Sequence, residues 1–181
     1  MRPTRDETML DLARVIARRS TCARRNVGAV LTDSYGRVLA IAYNGVAMGQ
    51  PHCVPHPAAY VAAMCGVVTL PEGKPCAGAY QQSGQGLDLC EAIHAEQNAL
   101  AFCQDIMKID TVYVTTAPCV HCVKMLMNTT ARRVVFEEGY AHDERSRDLW
   151  TADGTRTWEH NRPTAGPDVS PDVDVETTYR W

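Results

Sequence analysis

No run of 18 or more apolar residues occurs in the 181-residue sequence, so no membrane-spanning helix is expected. The stretch from Met1 to Asp11 is charged and lacks the apolar core of a secretory signal. A large excess of charge is missing too: 18 Lys and Arg stand against 21 Asp and Glu, a formal net charge of −3. That balance counts against a protein whose main task is to wrap a nucleic-acid backbone, which calls for a visibly basic surface. Internal repeats are absent. What is present is a chain long enough for one globular domain with a sizeable core. It carries eight cysteines, but the spacing Cys119-Val-His-Cys122 suits a metal or redox centre better than the disulfide framework of a small secreted domain. A cytoplasmic protein is expected. The basic residues Arg14, Arg18, Arg19, Arg24 and Arg25 cluster near the N-terminus, a concentration that suits a single phosphate as well as a polymer.

Hydrophobic spacing organises the chain. Leu10, Leu12, Ala13, Ile16 and Ala17 recur at helical intervals, predicting an amphipathic helix over 7–19. Two short apolar runs, 27–31 and 37–43, flank the turn signal Asp33-Ser-Tyr-Gly36 and read as a β-hairpin ended by Asn44-Gly45. Residues 46–90 hold Cys53, Cys65, Cys76 and Cys90, three prolines between 51 and 57, and a glycine-rich stretch. They read as an insertion with one helix over 58–68, a length of loop that needs a reason such as a metal clip. Beyond it, 93–103, 120–128 and 143–150 read as helices, and 111–115 and 133–137 as strands. Alternating strands and helices imply an α/β sandwich with helices covering a largely buried sheet. The catalytic domain is expected over 1–160. Residues 161–181 are expected to form a proline- and acid-rich tail, with a weak strand near 173–179.

Two motifs carry chemistry. His94-Ala-Glu96 opens one predicted helix and Pro118-Cys119-Val-His-Cys122 opens another. Cys119 and Cys122 share one side of a first helical turn. A helix N-terminus favours thiolate there, and Pro118 suits a helix start because it has no N–H to leave unpaired. With His94 as a neutral nitrogen donor, the set supplies three ligands and leaves a fourth position open, as catalytic zinc requires. Glu96 lies about 200° around a regular helix from His94, so it reaches the centre only if the helix start is irregular. A zinc ion brings the pKa of water from about 15.7 to about 7, so a carboxylate of modest basicity suffices as the proton carrier. His121 completes nothing in this set and is expected at the surface or the pocket rim. A Cys-x-x-Cys alone also fits a structural zinc knuckle, but such sites are closed by four protein ligands.

The pairing of these motifs is the signature of the zinc nucleobase deaminases. More specifically, the sequence resembles the deoxycytidylate deaminase family over roughly 7–140, on Cys22-Ala-Arg-Arg-Asn-Val-Gly-Ala-Val30, Ala42-Tyr-Asn-Gly45, Pro51-His-Cys53, Ile93-His-Ala-Glu-Gln-Asn-Ala-Leu100 and Tyr113-Val-Thr-Thr-Ala-Pro-Cys119. The resemblance implies a three-layer α/β/α sandwich with a central five-stranded mixed sheet, and a homo-oligomer, with a hexamer favoured. It implies hydrolysis of dCMP or a 5-substituted dCMP, with catalytic Glu96 and zinc ligands His94, Cys119 and Cys122. It implies that Asn44, Ala95 and Tyr140 contact substrate, that phosphate contacts come from among Arg24, Arg25 and Asn26, and that a nucleoside triphosphate effector binds near the loop at 43–45. Ala117 and His121 depart from the family pattern beside the site, which leaves the preferred base open. Taken without the resemblance, Asn44 also suits a turn, Arg24 and Arg25 a solvated surface, and Tyr140 a core position.

Some relatives hold a second, structural zinc. The resemblance implies one here on Cys22, Cys53 and Cys90, with Cys65 as the fourth ligand; buried free thiols are the alternative. Cys103 reads as core. Two rival functions share the zinc motifs: a nucleic-acid deaminase of the tRNA type, and a zinc-stabilised binding module without activity. The mild acidity and the cysteine-rich insertion count against the first. Glu96 counts against the second, since a module without chemistry needs no proton carrier.

Overall fold

The computed structural model describes residues 2–54, 74–76, 78, 85–86, 89–140 and 143–161. The expected helix over 58–68, Cys65 and the expected strand near 173–179 lie outside them.

Helix α1 spans Arg5–Ala17. It starts two residues before the hydrophobic spacing indicates because Thr4 and Glu7 form a capping box: Glu7 N–H donates to Thr4 Oγ1 at 3.2 Å and Thr4 N–H to Glu7 Oε2 at 2.7 Å. Strands β1 (Gly28–Thr32) and β2 (Val38–Tyr43) form the expected antiparallel hairpin. Its turn is held by the Asp33 carboxylate, which accepts from the Tyr35 and Arg37 N–H groups at 2.9 Å, and by Gly36 at φ +80°. In the insertion, β3 (Cys53–Val54) and β4 (Lys74–Pro75) make a small parallel pair. There follow α2 (Ala95–Phe102), a 3₁₀ turn at Ile106–Lys108, β5 (Thr111–Thr116), α3 (Val120–Leu126), β6 (Arg133–Glu138), α4 (Asp143–Thr151) and β7 (Thr157–His160).

The sheet runs β2-β1-β5-β6-β7 and is mixed: β1 is antiparallel to β2 and β5, whereas β5, β6 and β7 are parallel. Alternation along the strands sorts its two faces. Val30, Tyr113 and Val135 pack on Leu10 and Ala13 of α1. Ala29, Leu31, Val112, Val114, Val134 and Phe136 point the other way, onto Ala95 and Ala99 of α2, Val123 and Leu126 of α3, and Trp150 of α4. The central strands are covered on both sides, giving three layers. Glycine is required at position 28: a Cβ there would collide with the Ala13 carbonyl oxygen and sit 2.9 Å from Ala17 N, so its absence lets α1 lie close on β1.

One strand differs from the sequence reading. The fifth strand is β7, at 157–160, where the sequence shows no apolar run; the weak strand read from sequence stands further along, near 173–179. β7 is fixed by polar contacts. The Arg133 guanidinium donates to Glu159 at 2.6 and 3.0 Å and to Asp6 at 3.1 Å. The buried Trp150 indole donates to the Thr157 carbonyl at 2.9 Å.

Candidate metal centre and its pocket

The site lies where β5 and β6 end and the hairpin strands begin and finish, the crevice that open α/β sheets use for ligands. His94 precedes α2 as its N-cap in extended backbone (φ −69°, ψ 154°), and Cys119 precedes α3 in the same way (φ −72°, ψ 166°). This corrects the sequence reading in two respects. His94 and Cys119 stand at the helix entrances rather than within the helices, and Pro118 lies one residue before the cap rather than in the first turn. The angular objection to Glu96 disappears, because a helical 100° per residue does not apply across an extended N-cap.

Backbone contacts hold these entrances in place. Gly45 and Ile93 exchange N–H···O bonds at 2.8 and 3.1 Å, the Asn98 amide donates to the Tyr43 carbonyl at 2.9 Å, and His94 N–H donates to Gln97 Oε1 at 3.0 Å. On the other side, Ala117 N–H donates to the Glu138 carbonyl at 2.8 Å, tying the segment before Cys119 to the end of β6.

His94 Nδ1 is 3.5 Å from Cys119 Sγ and 3.4 Å from Cys122 Sγ, and the two sulfurs are 3.6 Å apart. With Zn–S bonds of about 2.3 Å and a Zn–N bond of about 2.0–2.1 Å, a tetrahedral ion holds two sulfurs about 3.8 Å apart and each about 3.5 Å from the nitrogen. The triangle therefore fits zinc as it stands. Among the described residues it is the group of three or more potential ligands whose donor atoms all lie within 4.8 Å of one another. Hydrogen bonding to Cys122 and then to His94 brings Cys119 down to about 3, and the bond to Cys119 together with burial holds Cys122 well above the ordinary thiol value. Glu96 is 3% exposed, and burial raises its carboxyl above the usual range while the His94 imidazole pulls it down.

A cavity of about 270 Å³ opens onto this centre. His94, Ala95, Glu96, Cys119, Asn44, Arg24, Arg25 and Tyr140 all line it, as expected of substrate contacts. Asn26 does not; it is exposed and lies off the pocket wall. His121 is exposed, as expected, and Cys103 packs against the core. Both arginines line the cavity and both have a buried Nη1. Arg24 Nη2 donates outward to the Gln85 carbonyl at 2.9 Å. Arg25 lies 5.8 Å from the Tyr140 ring centre, and its Nη1 is buried without a hydrogen-bond partner. Val27, Ala92 and Thr116 also line the cavity, and none of them was picked out as a site residue from sequence.

Four further sulfurs form a linked row beside the pocket. Cys22 hydrogen-bonds Cys90, Cys90 lies 3.9 Å from Cys76, and Cys76 hydrogen-bonds Cys53. The bond to Cys90 brings Cys22 down to about 5, whereas burial and then the neighbouring thiols push Cys53 up to about 11. Cys76 received no role in the sequence reading because its spacing matches no motif.

The model of the cytidine and deoxycytidylate deaminase zinc-binding region matches residues 3–138. A deoxycytidylate deaminase of Mycobacterium phage D29 is 34% identical over 137 residues, covering 75% of this chain and 95% of that protein. The deoxycytidylate deaminase of Schizosaccharomyces pombe is 29% identical over 164 residues, and there the chain spans only 46% of the relative's length. The crystal structure of a dCMP deaminase from cyanophage S-TIM5, in complex with dCMP and dUMP, superposes with a TM-score of 0.61 at 21% identity, covering 89% of this chain and 99% of that one.

Proposed function

The chain belongs to the family of the cytidine and deoxycytidylate deaminase zinc-binding region, and from that premise we propose that it hydrolyses the exocyclic amine of dCMP or a 5-substituted dCMP, giving a dUMP-type product and ammonia. The observation that carries this reading is the His94–Cys119–Cys122 triangle with buried Glu96 beside it on one cavity wall. His94 Nδ1 and the two thiolates would hold the ion, and a bound zinc supplies Lewis acidity that brings the pKa of water to about 7. Glu96 moves the protons: it takes one from the attacking water to the ring nitrogen beside the reacting carbon, then takes the second from the same oxygen to the departing amine. The atoms balance as water plus amine giving carbonyl plus ammonia. Burial supports this role, because a raised carboxyl value brings Glu96 nearer the pH at which it must both accept and release a proton.

At the other end of the pocket, Arg25 is the favoured phosphate ligand. Its buried, unpartnered Nη1 is a donor waiting for an acceptor, and leaving such a donor unmet costs about 1–3 kcal/mol. Arg24 also lines the cavity while its Nη2 meets Gln85, and it stands as a second phosphate candidate; Asn26 lies off the wall. Asn44, Ala95 and Tyr140 supply the remaining contacts. The reading extends to a second, structural zinc on Cys22, Cys53 and Cys90. Cys65, outside the described residues, is the proposed fourth ligand, and Cys76, 3.9 Å from Cys90, is the other candidate. Two zinc ions per purified chain are expected, and one would remove the second site. It also extends to one catalytic domain over 1–160 with its insertion and tail, to a cytoplasmic homo-oligomer with a hexamer favoured, and to a nucleoside triphosphate effector near the loop at 43–45. Sedimentation and initial rates with and without dCTP or dTTP test assembly and effector.

Ammonia release from dCMP, 5-methyl-dCMP, CMP, dCTP, deoxycytidine and tRNA tests the function. Turnover of the deoxynucleoside monophosphates is expected. Conversion of the polymer alone would replace this reading with the nucleic-acid deaminase. Arg25→Gln should raise KM for dCMP at least about tenfold, as loss of a charge-assisted hydrogen bond would, and leave deoxycytidine turnover unchanged.

A further inference from the structure

Asn44 follows β2 on the pocket wall and is 7% exposed. Its side-chain oxygen accepts the Val27 N–H at 2.8 Å and the Ser20 hydroxyl at 2.7 Å, and its amide nitrogen donates to the Arg25 carbonyl at 2.7 Å. A backbone N–H can only donate and a carbonyl can only accept, so these partners fix the amide in one orientation. Both lone pairs of Oδ1 are then occupied, and one N–H of the amide remains for the pocket.

Ser20 sits in the turn after α1 and makes a compact set of contacts. Its hydroxyl lies 2.7 Å from Asn44 Oδ1 and 2.9 Å from the Asn44 carbonyl oxygen, and it accepts the Cys22 N–H at 3.2 Å. Thr21 N–H also donates to the Asn44 carbonyl, at 3.3 Å. The hydroxyl does not line the cavity. It acts on the one residue of the hairpin end that does so with a spare polar hydrogen.

We propose that Ser20 is a positioning residue that saturates the Asn44 side-chain oxygen and so makes Asn44 present an N–H donor, not a carbonyl, to an acceptor atom of the bound deoxynucleotide. The inference rests on the deaminase reading and deepens it, because it assigns a hydrogen-bond polarity to one wall of the substrate pocket. An acceptor on the sugar or an acceptor on the base satisfies the same donor. Losing the hydroxyl frees a lone pair and one of the restraints on the amide. The Val27 N–H and the Arg25 carbonyl still orient the amide, but the spare N–H is held less firmly toward the substrate and Oδ1 regains a free acceptor site.

The test is steady-state kinetics of Ser20→Ala, Ser20→Cys and Ser20→Thr with dCMP, alone and combined with Asn44→Ala. Ser20→Ala should raise KM about tenfold with kcat within about twofold, the loss of one binding hydrogen bond. Ser20→Thr, which keeps the hydroxyl, should restore KM. Ser20→Cys, of similar shape but with a weaker donor, should fall between them and serves if the alanine variant does not fold. On Asn44→Ala, the Ser20 change should add nothing, since it acts through a group already removed. With 2′,3′-dideoxycytidine monophosphate the Ser20→Ala penalty vanishes if the acceptor is the sugar 3′-oxygen and persists if it is on the base. An unchanged KM in both Ser20→Ala and Ser20→Cys, or a full additive effect on Asn44→Ala, overturns the role of Ser20 in an active enzyme. A wild-type chain inert toward every cytosine nucleotide overturns the deaminase reading and this inference together.

Discussion

At Glu96 a carboxyl has been taken out of water and set beside two sulfurs and an imidazole. Burial raises its proton affinity, which is costly for a surface-type side chain and useful for one that must carry protons. Glu96→Gln keeps the shape and removes the titration. Turnover should fall by about 10²–10⁴-fold, the usual worth of a positioned proton carrier, while zinc content and melting temperature hold. Ammonia assay, metal analysis and a thermal melt check this together; wild-type turnover in the variant would remove the proposed mechanism. The chemistry-bearing residues were the most legible part of the chain, because His94, Glu96, Cys119 and Cys122 come in two short motifs whose spacing is local. Positions 20, 27, 92 and 116 were not legible. Ser20 works through a hydrogen bond across 24 residues, and Val27, Ala92 and Thr116 contribute only shape.

Elements tell a similar story. Strands β1, β2, β5 and β6 and the helices beside them announce themselves by apolar periodicity, since each buries a regular face. Strand β7 escaped because Thr157-Trp-Glu-His160 shows no apolar run: Trp158 packs on the core and Phe136, while Glu159 is held by Arg133 and the Thr157 carbonyl by the Trp150 indole. Its polar anchor makes it sensitive to acid. The Glu159 carboxyl is depressed by its hydrogen bond from Arg133, against a smaller opposing effect of burial. A depressed carboxyl stabilises the fold above its ordinary value of 4.5 and loses that contribution as pH falls through the lowered one. Amides of β7 should therefore lose hydrogen-exchange protection before those of β5 as pH falls progressively below 4.5, and Glu159→Gln should produce the same loss at neutral pH. Equal protection of both strands in acid would refute this. On the opposite side of the sheet, Gly28→Ala drives a methyl into the backbone of α1. A loss of about 1–3 kcal/mol is expected, the range for overpacking, read by urea denaturation; an unchanged midpoint would show that α1 moves away at no cost.

For the molecule as a whole, an α/β sandwich with a largely buried sheet was visible in the alternation of strands and helices, whereas the three layers and the mixed five-stranded sheet came from the family resemblance. Two things were visible in neither. The convergence of Cys22, Cys53, Cys76 and Cys90 depends on how the insertion folds back, which no local spacing encodes. The hydrogen bond from Arg24 to the Gln85 carbonyl depends on the same segment. Sequence supplied the candidates, and the tertiary path of residues 20–27 sorted them.

The two proposed metal ligands that come from different parts of the chain, His94 and Cys119, both occupy extended positions just outside their helices. An ion gripped at those thresholds joins two segments without contributing a turn to either. Helical order in α2 and α3 then rests on Ala95, Ala99, Val123 and Leu126 in the apolar interior. Stripping the protein with a chelator should accordingly silence turnover while leaving far-ultraviolet ellipticity intact, and re-addition of zinc should restore activity without a refolding step. Parallel decay of ellipticity and activity during chelation would mean that the ion, and not the interior, winds those helices.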